Sequence, residues 1–449
     1  MRITFFVLLA ILDTHTSFAQ KPVKLITLDP GHFHSALVQK TMYPQVDTTV
    51  YVYAKKSNDL TLHLDRIKSY NNNATAPTRW NEIVYEGDDY LDKMLLEKKG
   101  NVVMLAGNNQ LKTDYILKSV KAGFNVFADK PMAINEKGFM QLKDAFVAAE
   151  KNKLLLYDIM TERFEITTIL QRAFSMQPPL FGSLQKGTTA NPAVTKVSVH
   201  YFFKIISGAP VVRPPWFFDV EQEGAGIVDV TTHLVDLVQW ECFPEQILNY
   251  RQDIKLVKAA SWPTLITPEQ FNEITKTNKQ PEYLLKYRDN KNNLCVLSNG
   301  EINYTIKGVH AKVSVEWNYK APQGTGDTHY SIMRGTKANL IIRQGAEQQY
   351  KPTLYIEPLV NNAAFQKTVQ KTILEINSQY PGLSLQKNAK GWEVMIPEKY
   401  KEGHEAHFAR VTEKYLDYLL HRNIPTWEVP NMLAKYYTTT QAQKMATQK

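Results

Sequence analysis

Short apolar runs alternate with helical patterns over the first third of the chain. Residues 23–28 are apolar and stop at Asp29-Pro30-Gly31, and a helical pattern follows from Phe33 through Leu37 and Val38. Residues 49–54 (TVYVYA) predict a second strand, 57–76 a polar helix and loop, 83–85 a short strand and 90–98 a helix. Residues 101–106 (NVVMLA) predict a buried strand ending at Gly107-Asn108-Asn109, then a helix over 112–122 closed by Gly123. A strand over 125–128 runs into Asp129-Lys130-Pro131, ahead of a helix over 135–151 and a strand over 154–159. Such alternation predicts an α/β fold with a doubly wound parallel sheet over 20–160. In such sheets ligands bind at the carboxyl ends of the strands, where these three loops emerge.

Beyond residue 161 the period changes. Residues 194–204, 294–306, 309–319, 329–333, 338–343 and 353–357 alternate apolar with polar, as antiparallel strands do. They predict an α+β domain over 161–400 with a broad, mainly antiparallel sheet. Helices follow over 369–379 and 406–421, and the 401–449 segment reads as a helical piece packing back across both domains. Between these strands, Gly224-Ala225-Gly226 leads into an apolar run predicted as a helix to residue 240. On it Asp229 and His233 stand four apart and Asp236 three further on, sharing one face. Ile227, Val230, Leu234, Leu237 and Val238 take the opposite face.

The N-terminus adds an address. Met1-Arg2, the apolar residues 3–12 and Ser17-Phe18-Ala19 before Gln20 have the form of a cleaved signal peptide over 1–19. Asp13 ends the apolar run far short of the roughly 20 residues a membrane span needs. The expectation is a mature chain exported to the periplasm or beyond, with no membrane span. Its 449 residues, 43% hydrophobic and 22% charged, describe a folded soluble protein of two or three domains. The net charge of +9 is spread without a basic run, which excludes a nucleic-acid reader. Cys242 and Cys295 form no zinc-type pair and read as unpaired buried thiols.

Three places can carry chemistry. Asp229 and His233 side by side could move a proton at a substrate hydroxyl, or could complement a helix dipole and fill an interior. Asp29-Pro30-Gly31-His32-Phe33-His34 keeps only the middle glycine of a dinucleotide fingerprint. Ala54-Lys55-Lys56 stands where an acid would hold a ribose, so Lys55 faces either a 2′-phosphate or solvent. Lys130, at the mouth of the sheet, can hydrogen-bond a reacting hydroxyl or carbonyl, and Pro131 after it is a place for a cis bond. His32 with His34, and His404 with His407, are weak metal patterns without a third ligand nearby in sequence, and no metal is expected. The first pair reads as lining the cofactor turn.

Residues 102–109, Ala122-Gly123-Phe124-Asn125-Val126, Asp129-Lys130-Pro131 and the 224–236 run together resemble the Gfo/Idh/MocA family. That family has an AG-x-x-V-x-x-EKP segment followed by GGG-x-x-x-D-x-x-x-H-x-x-D. The resemblance covers essentially the whole mature chain, more weakly past residue 250. It implies a Rossmann domain that binds NAD or NADP, held tightly, through Gly31, His32, Phe33, His34, Lys55, Gly107, Asn108, Asn109, Asp129 and Lys130. It makes Lys130 the catalytic lysine, Asp229 the orienting acid and His233 the proton carrier. Arg163, Arg213, Trp216 and Asp236 join Asp229 and His233 as substrate contacts, with Trp216 offered to a sugar face. The departures are the degraded glycines, the missing ribose acid, Asp129 in place of Glu and Lys112 in place of His. The implied activity is hydride transfer between the nicotinamide and a sugar or glycoside hydroxyl, giving for example a 3-keto-sugar. A glycosidase using transient oxidation and elimination, or a non-catalytic carbohydrate binder, are the alternatives. Family members with exposed sheets pair, which implies a homo-oligomer.

Overall fold

The structure, a computed structural model, describes residues 22–206 and 209–448; residues 1–19, expected to be a signal peptide, lie outside the described residues. A six-stranded parallel sheet has the order β3-β2-β1-β4-β5-β6. Its strands are β1 (Leu25–Leu28), β2 (Thr49–Ala54), β3 (Asn81–Glu86), β4 (Val102–Leu105), β5 (Asn125–Asp129) and β6 (Leu156–Ile159). β1, β4 and β6 are buried along their whole length, as strands covered on both faces must be. Helices α1 (His34–Leu37), α2 (Asn58–Asn71), α3 (Tyr90–Glu97), α4 (Asn109–Lys121) and α5 (Glu136–Asn152) connect them. Side-chain caps start the longer ones: Ser57 accepts from Leu60 N, Asn108 from Gln110 N and Asn135 from Gly138 N. α1 and α3 lack such a cap, and α1 is a single turn running into a 3-10 turn at Val38–Lys40.

After α6 (Ile166–Ser175) and α7 (Pro178–Phe181), the second domain builds a nine-stranded sheet. Its strands are β7 (Val194–Phe203), β10 (Ile254–Ile266), β11 (Leu294–Ile306), β12 (Val309–Lys320), β13 (Thr328–Arg334), β14 (Ala338–Gln344), β15 (Thr353–Pro358), β16 (Ser384–Lys387) and β17 (Trp392–Met395). β8 (Ile205–Ile206) and β9 (Ala209–Pro210) form a separate two-stranded ribbon. The large sheet has the order β10-β11-β12-β7-β13-β14-β15-β17-β16, and only β7 with β12 run parallel. β10 escapes the sequence pattern because it is an edge strand containing Pro263. Register shifts at Leu256/Lys258 and Trp262/Thr264 also break its two-residue period.

The helix expected from residue 224 begins later. α8 spans Thr231–Cys242, and Asp229 lies in the turn ahead of it. Gly226 is pressed so closely on β11 that a Cβ there would stand 1.7 Å from the Ser298 carbonyl oxygen. That backbone approach holds the chain in a turn until it clears the sheet. α9 (Pro268–Thr275), α10 (Ala363–Asn377), α11 (His404–His421) and α12 (Glu428–Thr447) complete the chain. Phe408, Tyr415 and Tyr436 from α11 and α12 belong to the core of the parallel sheet, with Tyr415 stacked 4.4 Å from Phe127. Ala434 and Ala442 of α12 belong instead to the core under the large sheet.

A buried charge cluster locks these parts together. Arg163 donates to both oxygens of Asp236 at 2.6 and 2.7 Å and to Glu428 at 3.0 and 3.1 Å. Lys435 reaches Asp158 at 2.6 Å and Asp236 at 2.8 Å. Arg163 and Asp236, expected at the substrate, are therefore corrected: both are consumed in this clamp. The reason is the late start of α8, which puts Asp229 in the turn and aims Asp236 at α12.

Candidate functional site

The carboxyl end of the parallel sheet faces the large sheet across a cavity of about 740 Å³. Its wall includes His32, Phe33, His34, Lys130, Asp229 and His233, together with Arg213, Glu223, Glu162 and Trp317. Lys130 leaves β5 on a cis Lys130–Pro131 bond. Its Nζ donates to Asp229 Oδ1, and both side chains are at least nine-tenths buried. Burial alone would lower the Lys130 ammonium, but Asp229 and Asp129 outweigh it and hold it above the usual lysine value. His233 lines the same wall with Nδ1 buried and unpartnered among the described residues. Burial first, and Lys130 second, push His233 well below its ordinary value, so its imidazole is neutral.

Several wall residues were not among the site residues expected from the sequence. Glu223 is pushed well above the usual carboxyl range by burial and then by Asp229. His200 Nδ1 meets Asp327 Oδ2 at 3.1 Å, Lys204 donates to the same oxygen, and Ser198 Oγ lies 2.6 Å from His200 Nε2. His404, at the start of α11, brings its ring to 5.3 Å from that of His34. Only the folding of distant segments onto one cavity assembles this set. Arg213 lies on the wall, but its Nε donates to the Phe202 carbonyl at 2.7 Å and its Nη2 to Tyr201 at 3.3 Å.

Glu162 makes a pH prediction. Burial, then Glu165, push its carboxyl up to about 7. The folded state therefore keeps a proton that the unfolded chain releases near pH 4.3, and stability falls as pH rises from there to about 7. In urea unfolding at pH 5 and pH 8, Glu162→Gln is expected to shrink the stability difference between the two.

The turn after β1 is closed. The amides of Gly31 and His32 both donate to the Ala106 carbonyl, at 3.2 and 3.1 Å. A Cβ on Gly107 would meet the Asp29 carbonyl at 2.3 Å, so the two loops pack backbone to backbone. A Cβ on Gly31 would meet Trp216 at 3.1 Å and Asp59 Oδ2 at 3.4 Å. Trp216 Nε1 donates to that same carboxylate at 2.8 Å. Trp216 is thus a cover for the turn and not a sugar platform, a correction caused by its bond to α2. Asn108 donates to Gln222 at 2.7 Å and Asn109 to Glu223 at 2.8 and 3.0 Å, so the second domain's loop seals this side too. Lys55 is exposed at the end of β2 and stands off the cavity wall. Lys112 is buried under the site, donating to Asn109 and to the Asp129 carbonyl, and burial lowers it to about 8.

A pyrophosphate would lie on the Gly31 turn, held by its free amides and the first turn of a helix. Here the amides are taken, a carboxylate stands beside the glycine, α1 is one turn long, and the cleft holds about 20 Å³. Ligand sites need roughly 300–1,000 Å³. The residues on this turn do not fit the pyrophosphate as placed, although the 740 Å³ cavity beside Lys130 has room for a nicotinamide-sized ring.

Residues 46–158 match the family described as "Oxidoreductase family, NAD-binding Rossmann fold", a match that starts after the Gly31 turn. Residues 170–447 match the "Putative oxidoreductase C terminal domain". A crystal structure of a "putative oxidoreductase from Parabacteroides merdae" is 56% identical, over 94% of this chain and 97% of that one, with a TM-score of 0.93. A levoglucosan dehydrogenase in complex with NADH and levoglucosan shares the fold at 11% identity, covering 95% and 98% of the two chains, with a TM-score of 0.59. A 3-ketoreductase from Actinomadura kijaniata does so at 13% identity, covering 94% and 98%, with a TM-score of 0.54. No curated protein matches. A parallel nucleotide-fold sheet joined to a broad antiparallel sheet, with lysine, acid and imidazole between them, defines an oxidoreductase scaffold. The chain belongs to the Gfo/Idh/MocA oxidoreductases and carries their NAD-binding Rossmann domain.

Proposed function

We propose that this chain acts on a sugar or glycoside in the 740 Å³ cavity, and that Lys130, Asp229 and His233 handle the proton of one hydroxyl. The observation that carries this is the buried Lys130–Asp229 pair on one wall with a neutral His233 whose Nδ1 has no partner among the described residues. The Lys130 ammonium has donors left over for a substrate oxygen. As that oxygen gains negative charge or becomes a carbonyl, the ammonium stabilises it, and His233 or Asp229 takes the proton. Trp317 and Phe217 also line the wall, with the Arg213 guanidinium over both rings at 5.1 and 4.4 Å. The levoglucosan dehydrogenase and the 3-ketoreductase lend the substrate class, since both reactions concern a hydroxyl and its ketone. When a nicotinamide dinucleotide is bound, it supplies the hydride acceptor or donor for that interconversion.

The closed Gly31 turn favours a second reading, proton transfer alone on a sugar that already carries a ketone. There the base removes the proton from the carbon beside the carbonyl, and the bond from the next carbon to the aglycone oxygen breaks. That oxygen takes one proton and leaves as the neutral alcohol, the sugar keeping a double bond conjugated to its ketone. Mass spectrometry of small molecules released by denaturing the purified mature chain separates the two. A stoichiometric nicotinamide dinucleotide supports the first. None released, with solvent deuterium taken up by a 3-keto-glucoside, supports the second. A chain that neither binds nor turns over any sugar or keto-sugar sinks both. Export belongs to the same proposal, on the pattern of residues 1–19. A mature protein beginning at Gln20, read by N-terminal sequencing of the periplasmic fraction, is the supporting result.

A further inference from the structure

The turn that no longer fits a pyrophosphate carries two imidazoles, and the fold supplies the third ligand that the sequence lacks nearby. Asp129 Oδ2 lies 2.9 Å from His34 Nδ1 and 3.7 Å from His32 Nδ1. One ligand atom from each of the three residues falls within 4.8 Å of the others. We propose that His32, His34 and Asp129 bind one divalent first-row transition-metal ion, with its remaining positions open to the cavity.

The donor set is two imidazoles and one carboxylate, which suits Zn²⁺, Mn²⁺, Fe²⁺ or Co²⁺ and leaves positions free for a substrate oxygen or water. Bonds of about 2.0–2.2 Å to such an ion put neighbouring donors roughly 3–3.5 Å apart. Asp129 Oδ2 stands at 2.9 and 3.7 Å from the two imidazole nitrogens, and the whole set lies within 4.8 Å. The ligands sit on stiff supports. Asp129 ends β5 in the middle of the sheet, and its carbonyl accepts from Lys112 at 3.1 Å. His34 is buried against Phe408, ring centres 4.6 Å apart. Two contacts give way to the ion: the 2.9 Å hydrogen bond between His34 Nδ1 and Asp129 Oδ2, and the long one from the His34 amide to His32 Nδ1 at 3.4 Å. Two cations face the site: Lys112, whose Nζ bonds Asn109 and the Asp129 carbonyl, and Lys130, which Asp229 offsets by direct pairing. A plain His34–Asp129 hydrogen bond accounts for two of these residues but not for His32 turned toward the same carboxylate oxygen.

His32, His34, Lys130 and His233 all face the one cavity, so the ion's open positions point where the proposed sugar oxygen would lie. There it acts as a Lewis acid, polarising a hydroxyl or carbonyl while Lys130 and His233 manage its proton. What the ion acts on rests on the functional reading above. Its binding does not, and is measured without substrate.

Chelator-treated mature chain titrated with Co²⁺ is expected to develop visible d–d absorption that saturates near one ion per chain. Isothermal titration with Zn²⁺ should give the same stoichiometry. His34→Ala and Asp129→Asn are expected to weaken Zn²⁺ binding by about 100-fold or more, the upper end of what losing a supporting residue alone does. His421→Ala, at an exposed site far along α11, should leave it unchanged. His32→Asn, at a partly exposed position, covers the case in which the buried variants unfold, and circular dichroism reports folding of each. A chain that binds no ion stoichiometrically overturns the proposal. So does a Co²⁺ spectrum and Zn²⁺ affinity unchanged in folded His32→Asn.

Discussion

Asp236→Ala is expected to cost about 3–5 kcal/mol of stability, because it leaves the buried Arg163 guanidinium and Lys435 ammonium with one fewer counter-charge. Both cations are buried, and Asp236 is the carboxylate they share. Urea unfolding of the two chains measures the difference, and a loss under about 1 kcal/mol would show the clamp to be unimportant. The pH dependence supplies a second check. Burial would raise the Asp236 carboxyl, but Arg163 and Lys435 outweigh it and hold it well below the usual range. Its contribution is complete above the unfolded value of about 3.9 and is lost as pH falls through the depressed one. The native chain should therefore lose stability below about pH 4 more steeply than Asp236→Ala does.

Replacing Lys130 with Met and Asp229 with Asn together should lower turnover by about 10²–10⁴-fold, the range of a positioned proton-transfer group. The paired change matters. Lys130 and Asp229 are both buried, so removing one alone strands the other's charge and confounds activity with folding. Turnover is followed as dinucleotide reduction by a glycoside or as deuterium uptake by a keto-glucoside, whichever the chain supports. A doubly substituted chain that folds and keeps full activity would remove the pair from the chemistry. In the same assays His233→Asn should displace the pH–rate profile, since a neutral imidazole beside an ammonium is the group placed to carry the proton.

Much of this site was legible along the chain because the carboxyl ends of parallel strands are where loops must emerge. Lys130 follows β5 directly, and His32 follows β1 by a few residues, so topology alone brings them to one edge. Asp229 and His233 were legible from their spacing, although the spacing implied a helix that begins two residues later than Asp229. Arg163 and Asp236 were misread for a related reason. A charged residue in a family motif carries no mark of which way it points, and in this chain α12 supplies Glu428 and Lys435 to absorb both. Trp216 beside two prolines looked like a platform, and the Asp59 carboxylate that turns it onto Gly31 lies 157 residues away.

By itself, the sequence determined the parallel and antiparallel sheets, the order of the domains, the lysine at the sheet mouth and the acid–imidazole spacing. All of these rest on local periodicity, or on residues a few positions apart. Tertiary structure alone decided that the Gly31 turn is sealed, that Asp129 joins His32 and His34, and that Glu223, His200 and His404 line one cavity. These depend on side chains meeting across 70 to 370 positions of chain, and hydrophobic patterning sets which face is buried without saying what lies opposite it.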